Sequence, residues 1–422
     1  MAAVRTEASG GLVRSGRLEM ESTTRREIGD LKWTYLLVGV ADGTLLPYIP
    51  LYLAQRGLGA PAIGLVLAAM AAATFATGLT WAYLADRRFS PERMVLAESV
   101  AAAAVSLLLL ISRGALTIAI VMVALSLARA PLVLLDPIVL KKLRVTQRTD
   151  YARIRLRMSA GWAVSAVASG ALFQATGLRL IPFVYAPLSL LFGLWVFLVL
   201  KPAREALVVD PSPQPNVRRV PVALITFLVS CLLLGVSLAA TQNFLVLQIN
   251  VLGGGALLIG AAAAFQAVTE IPTMGYTHVL TKYLSHRALF AIGCAIYLAI
   301  FIAWAFTGAA LVAALLKLVA GVAFALTLVA AVTIANDLAP ARLRATVQTL
   351  MKSVLFGVAP ILGALGGGVV YGAYGSRVMF LISTAVVAAA GLIALMVVPL
   401  RERRSGVIEP APASPELATP RA

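Results

Sequence analysis

Glu270 is the residue of this sequence whose position points most directly to chemistry. It stands near the middle of the apolar segment 256–281, with Gln266 one helical turn away and Pro272 two residues later. An ionisable group inside hydrocarbon costs a few kcal/mol on insertion, so it faces a cavity, water or a partner. Removal from water disfavours the charged form of a carboxyl, which suits a group that exchanges protons at neutral pH. We therefore predict that Glu270 carries protons.

Two lysines inside other apolar segments offer an alternative for Glu270. Lys317 and Lys352 lie in the segments 310–335 and 345–373. Either lysine could pair with Glu270 for structure alone, and Lys352 is predicted among the buried charges. Either could instead hold an anionic substrate, and the residue types leave both interpretations open. We place Lys317 in the predicted substrate site.

Asp42 and Arg129 are two further charges at matching depths. Asp42 is about ten residues, or about 15 Å, from the cytoplasmic end of the first segment, and Arg129 is about twelve residues, or about 18 Å, from Lys141. One hypothesis is that they share a cavity, with Asp42 taking part in proton coupling. The alternative is a buried ion pair that ties the first and fourth segments together.

Asp136 lies in the fourth segment between Pro131 and Pro137. Proline donates no backbone N–H and clashes with the preceding turn, so carbonyl groups are freed where a polar ligand could use them. We predict that Asp136 takes part in substrate binding and in proton coupling. Glu98, nearer the predicted cytoplasmic side, is expected to neutralise neighbouring arginines.

The motifs of several enzyme and cofactor classes are absent from the sequence. It contains no Gly-x-x-x-x-Gly-Lys-Ser/Thr loop, no His-Glu-x-x-His and no Cys-x-x-Cys. Cys231 and Cys294 lie singly in apolar runs, which indicates neither a disulfide framework nor a metal site. We therefore expect no catalytic residue, no metal and no cofactor.

The elements that must position these residues are long apolar helices. Of the 422 residues, 60% are hydrophobic and only 13% are charged, which excludes an ordinary soluble domain. Unbroken apolar runs favour helices over a barrel, and a span takes about 20 residues. Twelve predicted spans lie near 32–54, 61–85, 93–112, 115–140, 153–176, 180–200, 221–247, 256–281, 286–307, 310–335, 345–373 and 377–399.

The basic residues predict how the chain is oriented. The net charge is +17, yet Lys and Arg are spread over short connections, which favours membrane orientation over nucleic-acid binding. Sixteen lie in the connections on one side, against four on the other: Arg56, Arg113, Arg179 and Arg377. We expect a bacterial inner-membrane protein with both termini in the cytoplasm and no nucleic-acid partner. The oligomeric state stays open, with a monomer expected.

The two halves of the chain look like parallel copies. A shift of 196 residues places Gly57 and Gly64 on Gly253 and Gly260, and a shift of 198 places Gly170 and Gly177 on Gly368 and Gly375. Two six-helix repeats are typical of secondary transporters that bind substrate between the halves. The predicted organisation is a tail at 1–31, a bundle at 32–200, a linker at 201–219, a second bundle at 220–400 and a disordered tail at 401–422.

One stretch after the second span carries a family resemblance. The run from Ala82 through Asp86, Arg87 and Arg88 is similar to the Gly-x-x-x-Asp-Arg signature of the major facilitator superfamily, with Ala82 in place of glycine. The resemblance implies an all-α membrane protein of two pseudo-symmetric six-helix bundles. It also implies that Asp86 and Arg87 are gating residues in a charge network that latches the two halves.

A second stretch resembles a branch of that superfamily. The segment from Tyr151 to Trp162 is similar to the Tyr/Phe-Gly-x-x-Arg-x-x-Gly-x-x-Gly-Trp pattern of the lactose-permease-like branch, which includes nucleoside and phenylpropionate permeases. The resemblance implies that Arg155 hydrogen-bonds substrate, that Trp162 is an aromatic platform, and that Asp136 and Glu270 correspond to functional carboxylates. By composition Arg155 lies at the membrane edge, but we follow the resemblance and expect it in the cavity.

The departures from this branch concern coupling and substrate. Lys317 is followed by Ala320 and Ala323, where the sugar permease has His and Glu, and the seventh span carries Gln242 and Asn243 in place of acids. We predict proton-coupled symport of a small polar or aromatic solute, with anions among the candidates. Proton-coupled efflux is the alternative, and a membrane sensor that moves no solute is a remote one. The predicted solute ligands are Asp136, Arg155, Trp162, Glu270 and Lys317.

Overall fold

The computed structural model describes residues 28–87, 90–129, 135, 139, 151–200, 221–340 and 343–398. In these ranges the chain forms twelve principal helices, two short 3-10 helices at Leu108–Leu110 and Leu178–Leu180, and no strand; Leu135 and Val139 are also helical. The principal helices are α1 (Ile28–Gln55), α2 (Ala60–Arg87), α3 (Pro91–Leu107), α4 (Ala115–Leu127), α5 (Tyr151–Thr176), α6 (Ile181–Val199), α7 (Val222–Val251), α8 (Ala256–Leu280), α9 (His286–Phe306), α10 (Ala310–Leu338), α11 (344–374) and α12 (376–397). The predicted linker 201–219 and the tail 401–422 lie outside the described residues, as does nearly all of the tail 1–31.

Two of these helices contain irregular turns with local causes. α1 narrows into a 3-10 turn at Leu46–Tyr48, where Pro47 and Pro50 cannot donate to the helical hydrogen-bond ladder. α11 contains a π-helical turn at Val354–Val358. Gly375, with φ 82° and ψ 176°, separates α11 from α12.

The helices present an apolar outer surface. Among the described residues, nine helical stretches are long and apolar enough to cross a membrane. Large apolar side chains such as Ile111, Leu116, Phe183, Val222 and Met396 are exposed on the outside. Such a surface is stable in lipid, where exposed apolar groups cost nothing. The protein is therefore a multi-pass membrane protein.

The predicted internal repeat is visible in the turns. In the part of the chain that the structure describes, four glycines adopt positive φ, namely Gly57, Gly177, Gly253 and Gly375, a conformation that glycine adopts without steric cost. They form two pairs at the predicted shifts of 196 and 198. They lie between α1 and α2, α5 and α6, α7 and α8, and α11 and α12, so all four are at one end of the helices, called the glycine-turn end below.

The halves contact each other through two seams near the glycine-turn end. In one seam, α2 packs on α11, and a Cβ on Gly64 would overlap the carbonyl oxygen of Ala364. In the other, α8 packs on α5, and a Cβ on Gly260 would overlap the carbonyl oxygen of Ala166. These residues correspond under the same two shifts, so the two seams are pseudo-symmetric copies of one contact. Small residues let the helix backbones approach closely.

Candidate functional site

A cavity of about 630 Å³ lies between the two halves. Its volume falls in the range of sites for small organic ligands, about 300–1,000 Å³. α1 and α5 contribute to it from the first half, and α7, α8, α10 and α11 contribute from the second. The polar residues that line it are Ser159, Trp162, Gln242, Asn243, Gln266, Glu270 and Lys317.

Lys317 is the centre of a polar cluster in this cavity. Its Nζ donates hydrogen bonds to Oε1 of Gln242 on α7 and to Oε1 of Gln266 on α8, the latter at 2.6 Å. Nε2 of Gln242 also donates to Oε1 of Gln266 at 3.2 Å. Lys317 is only 7% exposed. Because an ammonium group has three donors, one remains for a solute or for a nearby carboxylate.

The close approach of α8 and α10 holds this cluster in place. Thr269 Oγ1 donates to the carbonyl oxygen of Leu318 at 2.6 Å. A Cβ on Gly321 would overlap the carbonyl oxygen of Gln266. Glycine at this point lets the two backbones touch, and the residues that flank the contact, Gln266 and Lys317, then face the same space.

Glu270 lines the cavity one helical turn from Gln266. Its side chain is half-buried. Among the described residues, Lys317 on α10 and Arg155 on α5 are the charged groups that attract its carboxylate. Pro272, inside α8, removes one backbone donor beside it. The structure thus brings together three of the predicted residues, although only Glu270 and Lys317 of these line the cavity.

Arg155 lies beside the cavity. Its side chain is exposed near the start of α5, one turn before the cavity-lining residues Met158 and Ser159, and it is not among the residues that line the cavity. Charged side chains in this turn of α5 need water or acidic partners, and Glu270 of the other half is close enough to attract Arg155. A role for Arg155 in solute binding stays a prediction.

Trp162 lines the cavity. Its backbone lies against Gly43 of α1, where a Cβ would come within 2.7 Å of the Trp162 carbonyl oxygen. The glycine allows α1 and α5 to pack closely and lets the half-buried indole face the cavity between the halves. Its role as an aromatic platform stays a prediction.

Asp42 and Arg129 form an ion pair away from the cavity. They line a separate narrow cleft in the first half together with Glu98, Tyr185 and Ser189. The Arg129 guanidinium also lies over the Tyr185 ring, 5.9 Å from its centroid. Of the two hypotheses for this pair, the position agrees with a tie between α1 and the fourth segment. Glu98 also lines this cleft, and its expected pairing with arginines of the predicted cytoplasmic side stays a prediction.

Four predicted residues remain. The position of one of them corrects a prediction, and the side chains of the other three are not among those that the structure describes. Lys352, expected among the buried charges, is exposed on α11. The prediction was wrong because the sequence of a helix that meets lipid on one face and the cavity on another does not show which face is buried. Asp136 lies outside the described residues. Asp86 and Arg87 lie in the last turn of α2, and their side chains are not among those described.

Sequence reasoning missed part of the polar cluster. Gln242 and Asn243 were noted as replacements for acids but received no role, and Ser159 was not considered. The available signal was a pair of adjacent amides inside an otherwise apolar segment. Buried amides need hydrogen-bond partners, so their presence in a span is a reason to expect a polar site. Phe356, in the π-helical turn of α11, also lines the cavity.

Comparison with known proteins agrees with this architecture. Residues 28–382 match the MFS_1-like family. The maltose permease of Geobacillus stearothermophilus is 26% identical over 378 residues, which are 88% of this chain and 94% of the permease. The solved structure of the nucleoside transporter NupG is similar with a TM-score of 0.73 at 16% identity, covering 89% of this chain and 100% of that one.

A bacterial homologue of the human lysosomal transporter Spinster, solved in an inward-facing and unoccupied conformation, has a TM-score of 0.65 at 14% identity. It covers 89% of this chain and 96% of its own. At these identities the solved structures speak for the fold alone, while the family match spans most of the chain. The chain therefore belongs to the MFS_1-like family and is a membrane transporter of the major facilitator type, not an enzyme.

Proposed function

We propose that the protein is a proton-coupled symporter of a small, hydroxyl-rich organic solute, and that it works by alternating access. The observation that carries the proposal is the cluster of Lys317, Gln242, Gln266 and Glu270 in a cavity shared by both halves. A site at the interface of two repeats is where a rocking transporter can expose a solute to either side in turn.

The chemistry of the cavity favours a solute with several hydroxyl groups and one flat or apolar face. Amide groups both donate and accept hydrogen bonds, Lys317 donates, and a protonated Glu270 carboxyl can both donate and accept. Trp162 and the apolar wall suit a ring face. A sugar or a nucleoside has this combination, and the names of two relatives, a maltose permease and a nucleoside transporter, agree with it.

Glu270 is the proposed coupling group. Protonation would remove its attraction to Lys317 and to Arg155, which lie on α10 and α5 in different halves. A proton can bias the two access states only if it changes an interaction that differs between them. An electrostatic attraction between Glu270 and Arg155, which lie in different halves, is such an interaction.

The contacts between the two halves lie at one end of the molecule, which supports alternating access. Both seams join the halves near the glycine-turn end, whereas the exposed Arg155 lies toward the opposite end of α5. With the orientation expected from the basic residues, the closed end faces outward and the cavity opens toward the cytoplasm.

Efflux coupled to protons is the second candidate, and the largely apolar cavity wall favours it. Leu46, Val246 and Ile249 are among the many apolar lining residues, and such walls suit amphipathic drugs as well as sugars. The direction of net flux under an imposed pH gradient separates the two candidates.

The test begins with ligands. Purified protein is screened by thermal shift against maltose, other mono- and disaccharides, and nucleosides. We expect at least one to raise the melting temperature, and no stabilisation by any of them would contradict the proposed solute class. The solute that binds is then used for uptake into proteoliposomes with an imposed pH gradient.

The coupling prediction uses Glu270→Gln. We expect this variant to lose accumulation above equilibrium while it keeps exchange of solute between the two sides, because exchange needs no change of protonation. The matched control is Asp337→Asn, which alters an exposed carboxyl on α10 away from the cavity. Unchanged pH-driven accumulation in Glu270→Gln would show that another group couples the proton.

A further inference from the structure

Tyr297 of α9 is a buried titratable residue that the proposed mechanism has not used. Its side chain is fully buried, and its ring packs against Phe301 with centroids 5.5 Å apart. Within the described residues its hydroxyl makes no hydrogen bond. Buried hydroxyl groups are almost always paired, so this one calls for a partner that another arrangement of the molecule supplies.

Helix packing brings Tyr297 to the level of the polar cluster. One turn earlier on α9, Gly293 lies against Ala323 and Thr327 of α10. α9 and α10 are consecutive and antiparallel. Tyr297 is one turn after Gly293 on α9, so it lies level with the turn of α10 that precedes Ala323 and Thr327, which is the turn of Gly321. At Gly321, α8 touches α10 through Gln266 and Thr269.

Among the described residues, two titratable groups interact electrostatically with this hydroxyl. They are Glu270 on α8 and Cys294, one turn away on α9. Glu270 in turn is reached by Lys317 from α10 and Arg155 from α5.

Lys317 and Glu270 differ in the number of hydrogen bonds that they make. Lys317 is held by the two glutamine amides, while Glu270 has no hydrogen bond to any described residue and lines the cavity. A carboxylate with room to move therefore lies at the level of a buried hydroxyl that has no acceptor among the described residues, and the two groups interact electrostatically.

We propose that Tyr297 is a positioning residue for Glu270, and that its hydroxyl donates a hydrogen bond to the ionised Glu270 carboxylate when that side chain leaves the cavity. This inference rests on the proposed role of Glu270 as the coupling group. A protonated Glu270 needs no such donor and turns to the cavity, where it can bind the solute. The proton on Tyr297 stays on its oxygen throughout. The protonation state of Glu270 thereby decides whether the carboxyl faces the solute.

The direct test is Tyr297→Phe, which removes one oxygen and keeps the packing of the ring. We expect pH-driven accumulation of radiolabelled maltose, or of uridine in a parallel series, to fall about fivefold or more, the size of a typical coupling between two sites. Solute exchange is expected to stay within about twofold of wild type, with its pH profile moved to higher pH because the charged carboxylate has lost a donor.

The matched control is Tyr371→Phe. Tyr371 is a half-buried tyrosine of the same half whose ring stacks on Phe244, 5.3 Å between centroids. We expect it to leave both the accumulation and the pH profile unchanged. If Tyr297→Phe behaves like this control while Glu270→Gln has lost accumulation, the role of Tyr297 is refuted and the proposed function stands. If Glu270→Gln itself keeps accumulation, the proposed coupling site fails.

A second measurement needs neither a folded Tyr297 variant nor a known solute. Infrared difference spectra between high and low pH are recorded for the wild type and for Glu270→Gln, each with ring-deuterated tyrosine. We expect a tyrosine C–O band that changes with pH in the wild type and is lost in Glu270→Gln. A tyrosine signal that is the same in both proteins, or absent from both, overturns the proposal.

Discussion

At the scale of single residues, the cavity is organised by one buried cation. Lys317 occupies a position that is nine-tenths or more hidden from water, and burying a charge is costly unless hydrogen bonds compensate it. Two neutral amides from different helices supply those bonds. The amides are neutral, so the positive charge of Lys317 remains available to attract a solute oxygen or the Glu270 carboxylate.

Replacing Lys317 should therefore affect binding more than folding. In Lys317→Met the amides of Gln242 and Gln266 can still bond each other, and a flexible apolar chain fills the space. We expect solute affinity, measured by isothermal titration, to fall about tenfold or more, because a hydrogen bond from a charged group contributes about 1.5–3 kcal/mol. The control is Lys352→Met, an exposed lysine of the same half. Equal losses in both variants would contradict a specific role for Lys317.

At the scale of helices, the Asp42–Arg129 pair acts as a tie between α1 and the end of the fourth segment. Both side chains are nearly buried, at 8% and 12% exposure, and they lie in a cleft that is separate from the solute cavity. Removing one member of such a pair leaves a buried charge without its partner, whereas removing both leaves none.

This difference gives a test of the two hypotheses for the pair. We expect Asp42→Asn to lower the free energy of unfolding by about 3–5 kcal/mol, which lowers the melting temperature. The double variant Asp42→Asn with Arg129→Leu is expected to recover most of that loss and to keep pH-driven uptake. A stable double variant that exchanges solute but no longer accumulates it would show instead that the pair takes part in coupling.

At the scale of the whole molecule, the two seams hold the halves together at the glycine-turn end. Both depend on glycines whose Cβ would overlap a backbone carbonyl of the other half. The seam between α8 and α5 has one additional hydrogen bond, from the hydroxyl of Tyr48 to the carbonyl oxygen of Ala166. The residue that corresponds to Tyr48 under the shift of 196 is Phe244, which has no hydroxyl.

Gly64→Leu and Gly260→Leu are expected to wedge these seams apart. A reporter cysteine at Asn243→Cys in the cavity should then react faster with a membrane-impermeant thiol reagent added to the side of the glycine-turn end. The natural Cys231 and Cys294 are buried and give little background. Gly366→Leu is the control, because a Cβ there has no atom within 4 Å. The same rate in Gly64→Leu and in the control would refute the seam as the closed gate.

The sequence by itself determined the class, the apolar helices and the repeat. Length of apolar runs is a local property, so each predicted span contains a helix in the part of the chain that the structure describes. The turn glycines Gly57, Gly177, Gly253 and Gly375 were also readable, because positive φ is a local backbone requirement that glycine meets without steric cost.

Only the tertiary structure decided which charges share a site. In a membrane a helix can be apolar on every face, so its sequence does not reveal which side is buried against other helices and which side meets lipid. Lys317 and Lys352 looked alike in their segments, yet one is buried among amides and the other is exposed. Asp42 and Arg129 lie at matching depths in the sequence, and the fold pairs them in a cleft that is separate from the solute cavity. Each outcome depends on helix rotation and packing, which arise from contacts between segments far apart in the chain.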